Sequence, residues 1–147
     1  MKKEKQPPQK TVKALLPRAD KAFKNKFYLE SALTVSMILE IRIRTLIKRI
    51  EKSNPGIGFN LEQCLKRLKY LHLSGKDQNL MKTFEIQLID DLRNWKNQRN
   101  AVLNDLTEIH VSPKRLEKLA QDGMGLLKEF TKANKQFKKG LKDPLQK

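Results

Sequence analysis

Apolar residues recur along most of this chain at steps of three and four, the period of a helix face, and no segment sustains the two-residue alternation of a strand. Tyr28, Ala32, Val35, Leu39, Ile43, Leu46 and Ile50 form one such seam and predict a helix over residues 18–52. A second set (Phe27, Leu29, Leu33, Met37, Ile38, Ile41 and Ile47) spreads the apolar surface around most of that helix. A helix apolar on several sides must be covered on several sides, either at the centre of a bundle or against another copy. Ser53-Asn54-Pro55-Gly56 is a strong stop.

Asn60 followed by Gln63 has the form of a capping box and opens a second helix. Leu61, Leu65, Leu68 and Leu71 are its buried side, and Leu73-Ser74-Gly75-Lys76 closes it. A third helix is predicted over residues 78–104, with Leu88, Leu92, Trp95, Arg99, Val102 and Leu106 as its seam. Ser112-Pro113 reads as an N-cap with proline at the first helical position. It opens a fourth helix outlined by Leu116, Leu119, Leu126, Leu127, Phe130 and Phe137. Gly123 and Gly125 fall inside it, as a kink or as a place where backbones approach closely. The expected fold is all-α: an up-and-down bundle of four main helices with flexible basic ends.

A chain of 147 residues suits one domain with a modest core. The expected division is a basic flexible arm over 1–16, the bundle over 17–139 and a basic tail over 140–147. Net charge is +16, from 32 Lys and Arg against 16 Asp and Glu. That excess attracts polyanions and makes RNA an expected partner, although an acidic protein partner has the same sign. Cys64 is the only cysteine, which excludes an internal disulfide and a cysteine zinc cluster and points to the cytoplasm. No run of about 18 apolar residues exists, so neither a membrane span nor membrane contact is expected.

Most catalytic and cofactor chemistries find no footing. Pro55-Gly56-Ile57-Gly58 lacks the lysine of a phosphate loop. Asp90 and Asp91 are adjacent and point in different directions on a helix. Two histidines, His72 and His110, cannot make a histidine-rich metal site, so no metal and no cofactor are expected.

Arg99 stands where the seam calls for an apolar residue. A buried guanidinium is costly unless paired and fully hydrogen-bonded. It can form an ion pair with a carboxylate on a neighbouring helix, snorkel from the seam's edge, or serve a function. Asn94, Asn97, Asn100 and Asn104 line one stripe beside it, at a cost in helix propensity. Arg93 and Lys96 interleave with them, and Trp95 adds a flat apolar face. Such groups suit phosphates, sugars and unstacked bases, and they equally satisfy one another across a symmetric helix contact.

The segment Arg99-Asn100-Ala101-Val102-Leu103-Asn104 resembles the end of the third helix of HEPN domains. The wide apolar first helix around Leu39-Glu40-Ile41-Arg42-Ile43-Arg44 and the order of helices over residues 20–137 look similar too. The resemblance implies a homodimeric bundle of the kind found in ribonuclease toxins, antiphage effectors and noncatalytic nucleotide- or RNA-binding relatives. In active members an arginine and a histidine from both protomers converge to cleave RNA. Arg99 and Asn100 match that signature, but Asn104 stands where the histidine is expected. His110 would lie about 16 Å further along a continuing helix. A carboxamide hydrogen-bonds but does not exchange protons near neutral pH.

The reading is therefore a catalytically degenerate domain that binds RNA or another phosphate-bearing ligand, in a toxin–antitoxin or antiphage defence setting. Arg93, Lys96, Asn97, Arg99, Asn100 and Asn104 are its candidate binding residues. Two other readings stand beside it. One is an active, metal-independent endoribonuclease using Arg99 with Asn104 or Asp105. The other is a protein-interaction subunit using Leu33, Met37, Ile41 and Ile47.

Overall fold

A computed structural model describes residues 8–52 and 60–142, with side chains over 11–52 and 60–141. Six helices follow one another: α1 (Pro8–Lys24), α2 (Tyr28–Glu51), α3 (Leu61–Ser74), α4 (Gln78–Thr83), α5 (Ile86–Glu108) and α6 (Pro113–Lys142). No strand occurs among the described residues. The fold is all-α.

The widely apolar helix is the central one. α2 packs against α1, α3 and α6 at once. Its Val35, Ile38, Leu39, Ile43, Leu46 and Ile47 are buried, and Met37 alone of its large apolar residues is 52% exposed. α5 closes the ring by packing on α3 and α6, and α4 lies on α6. Of the four helices expected from the sequence, the one over 18–52 is the end of α1 followed by α2, the one over 78–104 is α4 followed by α5, and the other two are α3 and α6.

Each difference has a physical reason. The arm expected over residues 1–16 is helical from Pro8 onward. Val12, Leu15, Ala19 and Ala22 step by three, four and three and are all buried in the core. Ser31 Oγ donates to the Ala19 carbonyl at 3.0 Å, tying α2 to α1. The chain turns between them at Lys26, whose φ of 65° is left-handed. Phe27 N–H donates to the Ala22 carbonyl at 2.8 Å and Lys26 N–H to that of Phe23 at 3.0 Å, the double closure of a Schellman ending. Residues 1–7 lie outside the described residues, as does the Ser53-Asn54-Pro55-Gly56 stop.

The third predicted helix is two. Phe84 has extended backbone (φ −113°, ψ 118°) between α4 and α5. Its ring is buried 5.4 Å from that of Phe130, and its carbonyl lies 2.7 Å from His72 Nε2. These contacts take the place of a helical turn. The local signals elsewhere hold. Asn60 and Gln63 form both bonds of the capping box, and Gly75 ends α3 with φ of 69°. Arg115 N–H donates to Ser112 Oγ at 3.2 Å at the start of α6. α6 then runs without interruption past Gly123, Gly125 and Gly140 to Lys142, beyond the boundary expected at 139.

Candidate nucleic-acid interface on α5

α5 lays Ile89, Leu92, Trp95 and Val102 into the core and turns Asn94, Asn97, Asn100 and Asn104 to solvent. The asparagine stripe is therefore a surface feature. Arg99 lies at its inner edge, half-buried. Its Nε and Nη2 donate to Asn100 Oδ1 at 3.2 and 2.8 Å. Burial draws the guanidinium below its ordinary range, and the Glu40 carboxylate of α2 works in the opposite direction. Arg99 thus snorkels from the seam's edge within the field of its own bundle. Its hydrogen bonds go to a neutral side chain.

The buried cation of this helix is Lys96, at 5% exposure. Its Nζ is hydrogen-bonded to Glu62 Oε2 of α3. Burial, and then the neighbouring Arg99 charge, push its ammonium below the ordinary range. Glu62 is the carboxylate paired with it. Arg93 Nη2 shares it, 3.1 Å from Oε1, and Lys66 Nζ stands 3.7 Å from the same oxygen. Two of the expected binding residues, Arg93 and Lys96, are thus engaged by Glu62. Lys96 is buried on Glu62, and Arg93, partly exposed, is held by the same carboxylate. The six candidates divide into Arg99, Asn97, Asn100 and Asn104 at the surface, and Arg93 and Lys96 in a structural cluster.

Trp95 is likewise unavailable for stacking on a base. It is 2% exposed, and its Nε1 donates to the Leu119 carbonyl at 2.8 Å. Glu62 had no mark in the sequence that tied it to α5, 31 and 34 positions away from Arg93 and Lys96. Only the packing of α3 on α5 brings them together.

Charge is unevenly placed around the stripe. On its α6 side, Asp91, Asp122 and Glu129 line a cavity of about 460 Å³ together with Asn94 and Gln98. That flank repels a polyanion. Toward α2 and α3, the surroundings are Arg99, Lys96, Arg44 and Cys64 with Glu40 and Glu62. Burial pushes the Cys64 thiol up to about 11, and Glu40 adds to this while the Arg44 charge and hydrogen bond oppose it. Such a thiol is a poor nucleophile.

Neither histidine joins Arg99. His72 sits at the end of α3 with its ring on the Phe84 carbonyl, and His110 is exposed beyond the last turn of α5. Among the described residues no three His, Cys, Asp or Glu side chains are grouped to hold a metal ion. No helix among them is long and apolar enough to cross a membrane. No family model matches this chain, and neither a curated protein nor a solved structure matches it.

Proposed function

We propose that this chain is a helical-bundle domain that binds RNA, catalytically degenerate and similar to HEPN domains in its Arg99-Asn100 segment. The observation that carries the reading is Arg99 itself. A half-buried guanidinium, hydrogen-bonded to a neutral carboxamide and flanked by exposed Asn97, Asn100 and Asn104, keeps charge and donors to offer to phosphate oxygens. The net charge of +16 supplies long-range attraction.

Two features set the character of that binding. With Trp95 buried, the α5 face offers no aromatic platform, so contacts fall on phosphate and ribose and sequence preference is weak. With Asn104 in the place of the expected histidine, the stripe has no group that shuttles protons at neutral pH, so RNA is bound intact. A homodimer, a cytoplasmic location and a defence or toxin–antitoxin setting belong to the same reading.

The protein-interaction reading has less to stand on. Of Leu33, Met37, Ile41 and Ile47, Ile47 is buried, Leu33 and Ile41 are half-buried and Met37 is exposed. The test is a native gel of labelled single-stranded RNA at about 150 mM salt, with a denaturing gel of the same samples. Shifted, intact RNA with wild type and a lost shift with folded Arg99→Ala support the proposal. Cut RNA moves the reading to an active ribonuclease. No shift and no cutting moves it to a protein partner.

A further inference from the structure

Between α1, α2 and α6 the bundle holds a cavity of about 300 Å³. Its apolar floor is Val12 and Leu16 of α1 with Ile41 and Leu46 of α2. Lys13, Arg42, Arg49 and Lys138 line it from three helices, and no Asp or Glu is among its lining residues. Arg42 and Arg49 are seven positions apart, on one face of α2 with Thr45 between them.

Two side chains here are not accounted for by the fold. Arg42 is half-buried, yet among the described residues its guanidinium is hydrogen-bonded only to the neutral Thr131 Oγ1, at 2.5 Å. Burial holds it below its ordinary range with no carboxylate acting the other way. Asn134 is 9% exposed, lines the cavity and makes no side-chain hydrogen bond to a described residue. Its amide is not sealed from solvent and, as part of the cavity lining, has donors and an acceptor to offer a ligand there. Arg49 forms no ion pair with a described carboxylate.

The geometry points to a binding site for one small amphipathic organic phosphate. The head lies against Arg42, Arg49, Lys13 and Asn134, and the apolar body on Val12, Leu16, Ile41 and Leu46. A phosphate monoester brings nearly two charges and three acceptor oxygens to this ring of cations. A carboxylate brings one charge and two oxygens. The volume is at the small end of ligand pockets, about 300–1,000 Å³, and takes a single small molecule rather than a strand. The site is built on α1, α2 and α6 and stands apart from Arg99 on α5, so its success or failure is independent of the RNA reading.

The test is titration calorimetry of the full chain with 1-naphthyl phosphate at about 150 mM salt. Inorganic phosphate, 1-naphthoate and 1-naphthol serve as partial ligands, and no RNA is present. Saturable one-to-one binding of the naphthyl phosphate is expected, tighter than each partial ligand. Arg42→Gln and Asn134→Ala should each weaken it about tenfold or more, with circular dichroism and melting confirming the fold. Lys82→Ala, which removes one surface charge elsewhere, should leave it unchanged. If Arg42→Gln fails to fold, Arg49→Gln takes its place. Absent or non-saturating binding overturns the proposal. So do an equal loss in Lys82→Ala, unchanged affinity in the pocket variants, or partial ligands binding as tightly as the phosphate.

Discussion

Gly123 of α6 lies directly on the indole of Trp95: a Cβ at this glycine would stand 2.5 Å from the ring carbon Cζ2 and 2.9 Å from Cε2. The indole has no room to retreat, because it is 2% exposed and its Nε1 is bonded to the Leu119 carbonyl. The glycine is therefore a close-approach position and not a kink. Gly123→Ala is expected to cost about 2–3 kcal/mol by overpacking. Two residues on, a Cβ at Gly125 meets nothing within 4 Å. Gly125→Ala should stabilise by about 0.5–1 kcal/mol through helix propensity alone. Thermal unfolding of the two variants should move in opposite directions, by about 2–4 °C per kcal/mol. A fall in both would mean that α6 needs glycine for its backbone rather than for Trp95.

The Glu62 cluster makes a second prediction. Three cations lie within 4 Å of this carboxylate, and Lys96 is the most deeply buried of them. Glu62→Gln leaves Lys96 charged, buried and without a counter-charge. Removing one partner of a buried pair costs about 3–5 kcal/mol. Glu62 is 27% exposed, so solvent relieves part of that and about 2 kcal/mol is expected. The double variant Glu62→Gln/Lys96→Met should recover most of the loss, since it removes the orphaned charge and keeps the stem. Urea unfolding of the single and double variants measures this. A double variant less stable than Glu62→Gln would show that the ammonium has another counter-charge.

Much of this architecture was legible where the signal is local. The Asn60–Gln63 capping box, Gly75, the Ser112-Pro113 opening and the α2 seam each depend on residues within a turn or two of one another. What escaped was either masked or remote. The α1 seam of Val12, Leu15, Ala19 and Ala22 is narrow and has a small residue at two of four positions, so among the lysines its first half read as a solvated arm and its second half as the start of the next helix. The turn at Lys26 carries neither glycine nor proline, and a non-glycine residue at positive φ leaves no mark in the sequence. Phe84 breaks a helix because of Phe130 and His72, which no local pattern reveals. At the site the same division holds. The Arg99 and asparagine stripe is one helix's own periodicity, whereas the capture of Arg93 and Lys96 by Glu62 needs the α3–α5 contact.

Cys64 gives stability a pH dependence whose sign is fixed. The thiol ordinarily titrates near 9.0, and burial moves it to about 11 in the folded chain. Between those values the folded state keeps a proton that the unfolded state has lost, so stability falls as pH rises. The contribution is fully present below pH 9 and lost by pH 11. Its size is about 2–3 kcal/mol at most, from 1.36 kcal/mol per unit. Cys64→Ala removes this slope and leaves every other ionisable side chain in place. The stability gap between wild type and Cys64→Ala should therefore narrow from pH 9 to pH 11 in urea unfolding. A constant gap would mean that the thiol ionises in the folded protein as readily as in the unfolded one.

Under the proposed RNA binding, its salt dependence should separate the two kinds of cation on α5. Each phosphate contact adds about one to the slope of log affinity against log salt. Arg99 is bonded to a neutral carboxamide and keeps its charge for a phosphate. Arg99→Ala should therefore weaken single-stranded RNA binding at every salt concentration and lower the slope by about 1. Arg93 is already neutralised on Glu62, and its removal leaves Lys66 and Lys96 on that carboxylate. Arg93→Ala should change the slope by less than half as much as Arg99→Ala, while costing some stability through the loss of an ion pair. Filter binding across a salt series, on variants matched for helical content, reads both quantities. Equal slope changes would place Arg93 in direct phosphate contact and require Glu62 to release it on binding. A slope change for Arg93→Ala alone would move the interface off the asparagine stripe and onto the α3–α5 groove.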